Sequence, residues 1–275
     1  MSGGAIVRRV MTPAELETVI DWAEAEGWNP GLDDVVPFRT ADPDGFFVAV
    51  EEKVPVAAIS VVNHSERFAF LGLYLCRPDR RGYGIAHDLW RYALRHAGDR
   101  IVGLDGVPAQ LANYRASGFV EAGATVRYSG RPDGHLCTGA VPATAADLPV
   151  LTGREAHASG WSKSAYMMAW LAPSEHRTTW IGPDGGFVTV RRCRSGAKIG
   201  PLVASDADEA RALLTHAAAC APGELTIDVP ASAPALGAIC RDLNLVPEFE
   251  TVRMYRGDVT VSPRDFYAVA SLELG

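Results

Sequence analysis

The sequence predicts a mixed α/β protein built from two similar domains, each with a mostly antiparallel sheet flanked by helices. Two observations predict this class. In the first 130 residues, strand-like runs alternate with segments of helical periodicity. In the second half several segments recur in the same order: "GFFVAV" returns as "GFVTV", and "IVGLDGV" followed by "VRYSG" returns as "LTIDVPA" followed by "VRMYRG". Ordered recurrence indicates duplication. We predict domains over 1–130 and 131–275, joined by the Gly/Pro-rich segment 130–142.

The chain begins with a predicted strand at Ala5–Val10 and a helix after it. Thr12 is a suitable N-cap, and Glu15, three residues later, completes a capping-box pattern. Pro13 fits the first helical position, where its missing N–H costs nothing, and Gly27 marks the end of the helix.

The remaining elements of the first half follow from hydrophobic periodicity. Residues 45–64 read as two strands joined by a tight turn at Glu51–Val54. Leu71–Cys76 is a further strand, and Ala86–Ala97 has the apolar spacing of a helix. The half then closes with a strand over 100–107, a helix over 108–117 that ends at Gly118, and a last strand over 123–130.

Composition restricts the function classes. The chain of 275 residues is 48% hydrophobic and 21% charged, which is typical of a protein with packed cores. Its net charge of -7 opposes broad binding to nucleic acid or to an anionic membrane. No apolar run reaches the roughly 18 to 20 residues of a membrane span, and the N-terminus lacks the apolar region of a signal peptide. We therefore expect a cytoplasmic protein without a nucleic-acid or membrane partner.

The cysteine and histidine spacings predict no metal site. The five cysteines are widely separated, with no C-x-x-C pair, so they form neither a disulfide framework nor a zinc site by spacing. The histidines show no H-E-x-x-H pattern. We expect free thiols and no bound metal.

The segment Arg80–Ala86 carries the chemistry of an anion site. It joins a strand to a helix, and the first amides of a helix have no intrahelical partner and lie at the positive end of its dipole. Glycines at positions 82 and 84 would let a phosphate approach these amides closely. The Walker pattern is absent, and the dinucleotide fingerprint would need glycine at His87. At the corresponding place the second half has Ser205-Asp206 before its helix, without an arginine pair or a glycine.

The pattern Pro78-x-x-Arg81-x-x-Gly84-x-Ala86 resembles the Q/R-x-x-G-x-G/A loop of the GCN5-related N-acetyltransferase (GNAT) superfamily, which binds the pyrophosphate of acetyl-CoA. The downstream segment "NYRASGF", residues 113–119, resembles the closing motif of that superfamily, in which a tyrosine precedes a Gly-Phe pair. Further segments, "EGWNPGLDD", "LDGVPAQLANY" and "FYAVASLELG", are similar to a bacterial subgroup with a second, degenerate GNAT-like domain.

The resemblance implies acetyl-CoA as cosubstrate and assigns its site. The strand Leu71–Cys76 would splay from its neighbour, so that backbone groups near Tyr74 and Cys76 bind the pantetheine arm and the thioester oxygen. Asn113 could hydrogen-bond the pantetheine, and Tyr114 would be the general acid that protonates the departing thiolate. The backbone amides that would hold the pyrophosphate belong to Arg81, Gly82, Tyr83, Gly84, Ile85 and Ala86.

The general base stays open at this point. The candidates are His64, Glu66, Asp33, Asp34 and Asp105, or a water molecule. No nucleophilic triad is indicated, so a bound amine would attack the thioester directly.

The expected function is therefore an acetyl-CoA-dependent N-acetyltransferase acting on a primary amine. The alternatives are a CoA-binding sensor without turnover and a nucleotide-binding protein that uses the same loop. A small-molecule amine is the expected acceptor, although polyamine, amino acid, aminoglycoside and protein amine all remain open. A homodimer is also left open.

The second domain would cover the acceptor site rather than bind acetyl-CoA. The candidate wall residues are aromatic: Trp161, Tyr166, Trp170 and Trp180.

Overall fold

The computed structural model describes residues 5–221, 223–259 and 266–275. Within these residues, thirteen strands form one mostly antiparallel sheet. The strands are β1 (Ile6–Val10), β2 (Phe46–Glu51), β3 (Val54–Asn63), β4 (Phe68–Cys76), β5 (Ile101–Gly106), β6 (Val120–Gly130), β7 (Val141–Pro142), β8 (Arg177–Ile181), β9 (Phe187–Arg192), β10 (Ala197–Val203), β11 (Leu225–Pro230), β12 (Val246–Arg256) and β13 (Tyr267–Ala268). The helices are α1 (Pro13–Ala25), α2 (Val35–Ala41), α3 (Ile85–Ala93), α4 (Leu111–Ala116), α5 (Leu148–Ser159), α6 (Ser164–Leu171), α7 (Ala207–Cys220) and α8 (Pro234–Asp242). The mixed α/β class predicted from the sequence is confirmed.

Local signals give the early elements as predicted. At the start of α1, the Thr12 hydroxyl accepts from the Glu15 amide at 3.3 Å, and the Glu15 carboxylate accepts from the Thr12 amide at 2.8 Å. This is the predicted capping box, with Pro13 at the start of the helix. The turn between β2 and β3 places Glu52 and Lys53 at φ 49° and 69°, as a tight hairpin turn requires.

The two halves of the chain exchange their last strands. β6, from the first half, pairs with β11 of the second half, and β12, from the second half, pairs with β5 of the first. β6 and β12 also pair with each other at the centre of the sheet. The strand over 123–130 was expected to close the first domain, but it lies beside the last strands of the second half. The two predicted domains thus share one sheet and complete each other.

Helices cover both faces of this sheet. On one face, α3 and α4 pack over β2–β5, and α7 and α8 pack over β9–β11. The other face carries a core that joins α1 and α2 to α5 and α6. Side chains of β2 alternate between the two faces. Phe46 and Val48 point to the core beneath α1, α2, α5 and α6, whereas Phe47 points to α3 on the opposite face.

Two parallel strand pairs open partway along their length. β4 and β5 pair only from Phe68↔Ile101 to Leu71↔Leu104, and β10 and β11 pair only from Ala197↔Leu225 to Ile199↔Ile227. The two openings lie at equivalent positions of the two halves, but different groups occupy them.

In the second half the opening is filled by the C-terminal segment 266–275, which we call the tail. Its strand β13 pairs with β10 through Leu202↔Ala268, and the Val269 amide donates to the Asp228 carbonyl of β11 at 3.1 Å. In the first half, the opening between β4 and β5 remains as a cleft. The described residues contain no helix long and apolar enough to cross a membrane, and the cytoplasmic location stays a prediction.

Candidate active site

The opening between β4 and β5 forms a cleft of about 540 Å³, a size that suits part of a cosubstrate and a small second ligand. Three regions of the first half meet there: the end of β4, the loop before α3, and the region from β5 to α4. Residues of β6, β12 and the tail complete its lining. The lining includes Trp28, Leu73, Tyr74, Cys76, Arg81, Gly82, Gly84, Ile85, Ala86, Asp105, Tyr114, Arg127, Phe249, Thr251, Leu272 and Glu273.

The loop before α3 has the backbone that the sequence predicts for an anion site. Gly82 and Gly84 adopt φ 84° and 77°, a left-handed conformation that disfavours other residues. Among the residues that the structure describes, no heavy atom outside the neighbouring residues lies within 4 Å of where a Cβ would project from either glycine. Gly84 is the N-cap of α3, and no side chain caps this end. The first amides of α3 are therefore available to a ligand in the cleft.

Both arginines of this loop already have carboxylate partners. Arg80 Nε donates to Glu51 at 2.7 Å, and Arg81 pairs with Glu26, which also lines the cleft. Arg81 Nε also donates to the Cys76 carbonyl at 3.0 Å, which ties the loop to the end of β4. The Arg81–Glu26 pair is exposed and contributes little stability, so Arg81 can exchange its partner for a phosphate.

Strand β4 is irregular where it borders the cleft. Its register against β3 shifts, with Gly72 opposite Ser60 but Leu75 opposite Ala58, so one extra residue bulges from β4. Within this bulge Leu73 adopts φ 46°. Since β5 no longer pairs with β4 beyond Leu71, backbone groups of this stretch face the cleft rather than a neighbouring strand.

Tyr114 enters the cleft from α4. Its ring lies against Gly106, where a Cβ would overlap the ring, and it stacks on Trp90 with ring centroids 5.6 Å apart. Burial, with a smaller contribution from Tyr74, raises the pKa of Tyr114 to about 12. The phenol therefore stays protonated at neutral pH, as a proton donor must.

The cleft brings together most of the predicted cosubstrate residues. Those that line it are Tyr74, Cys76, Arg81, Gly82, Gly84, Ile85 and Ala86, together with Tyr114. Two others are not among the lining residues. Tyr83 is 76% exposed, and the Asn113 side chain donates to Gln110 at 2.6 Å instead of turning into the cleft.

Among the candidate bases, Asp105 lines the cleft, but it accepts two hydrogen bonds from Arg253 at 2.8 and 2.7 Å. Its charge is therefore already matched. The other four candidates do not line the cleft. Asp33 accepts hydrogen bonds from the Ser174 hydroxyl and the His176 amide, and Asp34 is buried between Arg177 and Arg191. His64 bonds the Leu274 carbonyl, and Glu66 is likewise absent from the lining.

None of the four aromatic residues expected as a wall of the acceptor site lines the cleft. Tyr166 and Trp170 are fully buried in the core between the halves. Trp161 stacks on Phe68 with centroids 4.1 Å apart, and Trp180 packs edge-on against His216. All four side chains therefore pack in or against the hydrophobic cores and not along the cleft.

The second half contributes other residues to the cleft, which the sequence did not single out. Phe249 and Thr251 come from β12, and Leu272 and Glu273 come from the tail. The apolar run "YAVASL" predicts a buried tail, but no local pattern marks Glu273, because its place follows from contacts over the whole length of the chain.

Comparison with known proteins agrees with this geometry. Two family profiles match the chain: "Acetyltransferase (GNAT) family" over residues 14–123 and "Acetyltransferase (GNAT) domain" over residues 154–267. Holothin acyltransferase from Pseudoalteromonas sp. (strain SANK 73390) is 33% identical over 274 residues, which covers 96% of this chain and 93% of the relative.

Solved structures show the same fold. A candidate acetyltransferase from Pyrococcus horikoshii has a TM-score of 0.85 at 20% identity, covering 100% of this chain and 98% of its own. A tandem GNAT protein from the clavulanic acid biosynthesis pathway has a TM-score of 0.61 at 15% identity, covering 93% of this chain and 100% of its own.

Proposed function

The chain belongs to the GNAT acyltransferase family and carries a second, C-terminal GNAT-like domain, and from this premise we propose that it transfers an acetyl group from acetyl-CoA to the primary amine of a small molecule. The observation that carries the proposal is the meeting of three features in one cleft: the opened strand β4, the uncapped start of α3 and the Tyr114 side chain.

Each feature has a separate task in binding the cosubstrate. The amides at the start of α3 would hold the pyrophosphate, with Gly82 and Gly84 leaving it room to approach. Backbone groups of β4 from the bulge to Cys76 would hydrogen-bond the pantetheine arm and the thioester oxygen.

The reaction needs no covalent enzyme intermediate. A neutral amine attacks the thioester carbon, a carbon–nitrogen bond forms, and the carbon–sulfur bond breaks. Backbone N–H groups of β4 stabilise the developing oxyanion, and Tyr114 donates a proton to the departing thiolate. The amine gives up one proton, so the products are an amide and free CoA.

The acceptor is proposed to be a small molecule for two reasons. The cleft has a volume of about 540 Å³, within the range of small-molecule sites, and residues of β6, β12 and the tail share its lining with the cosubstrate residues. A relative that covers 96% of the chain is named holothin acyltransferase. The second half would shape the cleft without binding acetyl-CoA, because the tail occupies its own strand opening.

The test is release of free CoA thiol from acetyl-CoA in the presence of a panel of primary amines. We expect thiol release that depends on the amine, together with formation of the acetylated product by mass spectrometry. Tight acetyl-CoA binding without thiol release over the whole panel would instead support the CoA-binding sensor. Stronger competition by ATP than by CoA would contradict both.

A further inference from the structure

The tail places one buried carboxylate in the cleft, and no candidate base predicted from the sequence occupies that position. Glu273 is 6% exposed and lines the cleft beside Leu272. Within the described residues its Oε2 atom is buried without a hydrogen-bond partner. A buried carboxylate oxygen without a partner carries a desolvation cost, which a ligand N–H would relieve.

Glu273 lies where the chemistry of the cleft is expected. A Cβ at Gly72 would overlap the Glu273 carbonyl oxygen, so the tail backbone lies directly on β4 at this glycine. Gly72 follows the last residue that pairs with β5 and precedes the bulge at Leu73. The Glu273 backbone therefore lies where the strand opening begins, and this residue lines the same cleft as β4.

The tail is held firmly on either side of this carboxylate. The Ser271 hydroxyl accepts from Tyr166 at 3.2 Å and from the Leu274 amide at 3.1 Å. The Leu274 carbonyl bonds His64 at 2.9 Å, and Lys163 donates to the Gly275 carbonyl. A group fixed in this way is preorganised, because little side-chain or backbone freedom is lost when a ligand binds.

Three cations lie near enough to Glu273 to interact with its charge, but within the described residues none of them bonds its buried Oε2 atom. Arg127 of β6, Arg191 of β9 and Lys198 of β10 attract it electrostatically. Each of these cations is bonded elsewhere: Arg127 to Asp228 of β11, Arg191 to Asp34, and Lys198 to the Trp28 carbonyl at 2.6 Å.

The cleft around Glu273 is otherwise largely aromatic and apolar. Trp28, Phe249 and Leu272 line it, and Phe249 stays 40% exposed, with its ring 5.9 Å from the Arg127 guanidinium carbon. An acceptor with a compact ring would cover these side chains, whereas a long polyamine would leave them exposed to water.

We propose that Glu273 binds the acceptor amine and takes its proton, and that the acceptor is a compact primary amine with an apolar or aromatic ring. This inference rests on the proposed acetyl transfer. As the amine nitrogen bonds to the acyl carbon it becomes more acidic, and its proton passes to Glu273. Tyr114 supplies the proton that goes to sulfur, and both groups then return to their starting states by exchange with water.

The test compares the full-length protein with Glu273→Gln, Glu273→Asp and the control Glu250→Gln. Glu250 lies on β12 between the cleft residues Phe249 and Thr251, but its own side chain is exposed and does not line the cleft. The probes are acetyl-CoA with benzylamine, phenethylamine and tryptamine, and with putrescine and spermidine as amines without a ring.

With the ring amines we expect Glu273→Gln to lower kcat/KM about 100-fold, the lower end for loss of a general base. Glu273→Asp should lose less, and Glu250→Gln should retain the rate. Acetyl-CoA affinity should stay within about twofold of wild type for all variants, since Glu273 is not placed in the cosubstrate site.

A readout independent of turnover is the titration of phenethylamine into protein saturated with CoA. We expect Glu273→Gln to weaken this binding about tenfold, as loss of one charge-assisted hydrogen bond does. Equal binding and equal kcat/KM in Glu273→Gln and wild type would overturn the proposal, as would preferential acetylation of putrescine or spermidine. A wild-type protein that binds no acetyl-CoA would instead contradict the proposed function, and phenethylamine would then be titrated into wild type and Glu273→Gln without CoA, where equal affinities would overturn the role of Glu273.

Discussion

At the scale of single residues, Tyr114 is the side chain whose environment best suits its proposed task. It lies in the cleft, is 7% exposed, and has a pKa raised to about 12. We predict that Tyr114→Phe lowers kcat by about 100-fold, because the thiolate loses its proton donor, while acetyl-CoA affinity stays within about twofold. Stopped-flow or steady-state thiol release measures the first quantity, and calorimetry the second.

Tyr92→Phe is the matched control, since Tyr92 lies on α3 but packs against Phe47 outside the cleft. Because the Tyr114 phenol ionises only near pH 12, the rate should show no loss from its deprotonation below about pH 11. An unchanged kcat in Tyr114→Phe would remove this residue from the mechanism.

His64 shows how burial changes a residue that first suggested catalysis. It is buried against Phe68 and Tyr166, and its Nε2 bonds the Leu274 carbonyl. Burial, reinforced by the charge of Lys163, lowers the pKa of His64 to about 3. The folded protein thus holds the neutral ring over a range in which the unfolded chain binds a proton.

The sign of the pH dependence follows from this difference. The stabilisation is fully present above the unfolded pKa of about 6.5 and is lost as pH falls from there toward 3. Between pH 7 and 4.5 the loss from His64 should be roughly 2 to 3 kcal/mol in the free energy of unfolding. In His64→Gln, which can retain a donor to Leu274, this component should disappear from urea unfolding curves. Identical losses in both proteins would show that His64 does not cause the dependence.

At the scale of elements, the start of α3 is the part of the site that local sequence specifies most fully. Gly84→Glu should abolish acetyl-CoA binding or weaken it at least about 100-fold, because it puts bulk and negative charge where the pyrophosphate would lie. Isothermal titration with acetyl-CoA measures the affinity, and thermal unfolding reports on the fold.

The control for Gly84→Glu is Gly160→Glu. Gly160 caps the end of α5, has φ 80° against 77° for Gly84, and likewise has no heavy atom within 4 Å of a projected Cβ. The two variants therefore carry the same backbone strain. Equal acetyl-CoA affinity in both would contradict the assignment of this loop.

The sequence predicts an element well when the residues that specify it lie close together along the chain. The α1 cap, the β2–β3 turn and the glycine loop are each specified within a few residues, and the structure contains all three. The strand exchange is different. "VRYSG" of β6 and "VRMYRG" of β12 are similar segments, so hydrophobic pattern alone does not decide which half each completes.

The arrangement of the tail was beyond local inference for the same reason. The tail contacts both halves. A Cβ at Gly200 would overlap the Val269 carbonyl oxygen, and a Cβ at Gly72 would overlap the Glu273 carbonyl oxygen. Each glycine reads as an ordinary strand residue until its distant partner is known. The base candidates predicted from turns missed Glu273 because a turn position says nothing about which carboxylate the fold carries into the cleft.

At the scale of the whole molecule, the halves are joined by buried charge pairs as well as by strands. Asp105 of β5 pairs with Arg253 of β12, and Asp228 of β11 pairs with Arg127 of β6. The two pairs correspond to each other in the sequence repeat, because Asp105 is equivalent to Asp228 and Arg253 to Arg127, and each pair joins strands of different halves. Breaking one such pair leaves a buried charge, at a cost of about 3 to 5 kcal/mol.

The shared sheet predicts that neither half folds alone as a stable monomer. A fragment ending near residue 138 would keep β6 without β11 and β12, and would leave β5 with an exposed edge. It would also lack the partners of Asp105 and Arg127, and Asp34 would lose Arg177 and Arg191. We expect each half, expressed separately, to be insoluble or to associate, and the two together to form a one-to-one complex with a native circular dichroism spectrum.

The control tests whether the halves need the peptide bond between them or only each other's presence. A protease site inserted in the largely exposed segment 131–139 of the full chain allows cleavage after folding. Because the strand exchange holds the halves together, the cut protein should elute at the same volume as the uncut chain and retain acetyl-CoA binding. A first half that is monomeric by light scattering and unfolds cooperatively by itself would mean that the exchanged strands are not required for its fold, and that the cleft belongs to one independent domain.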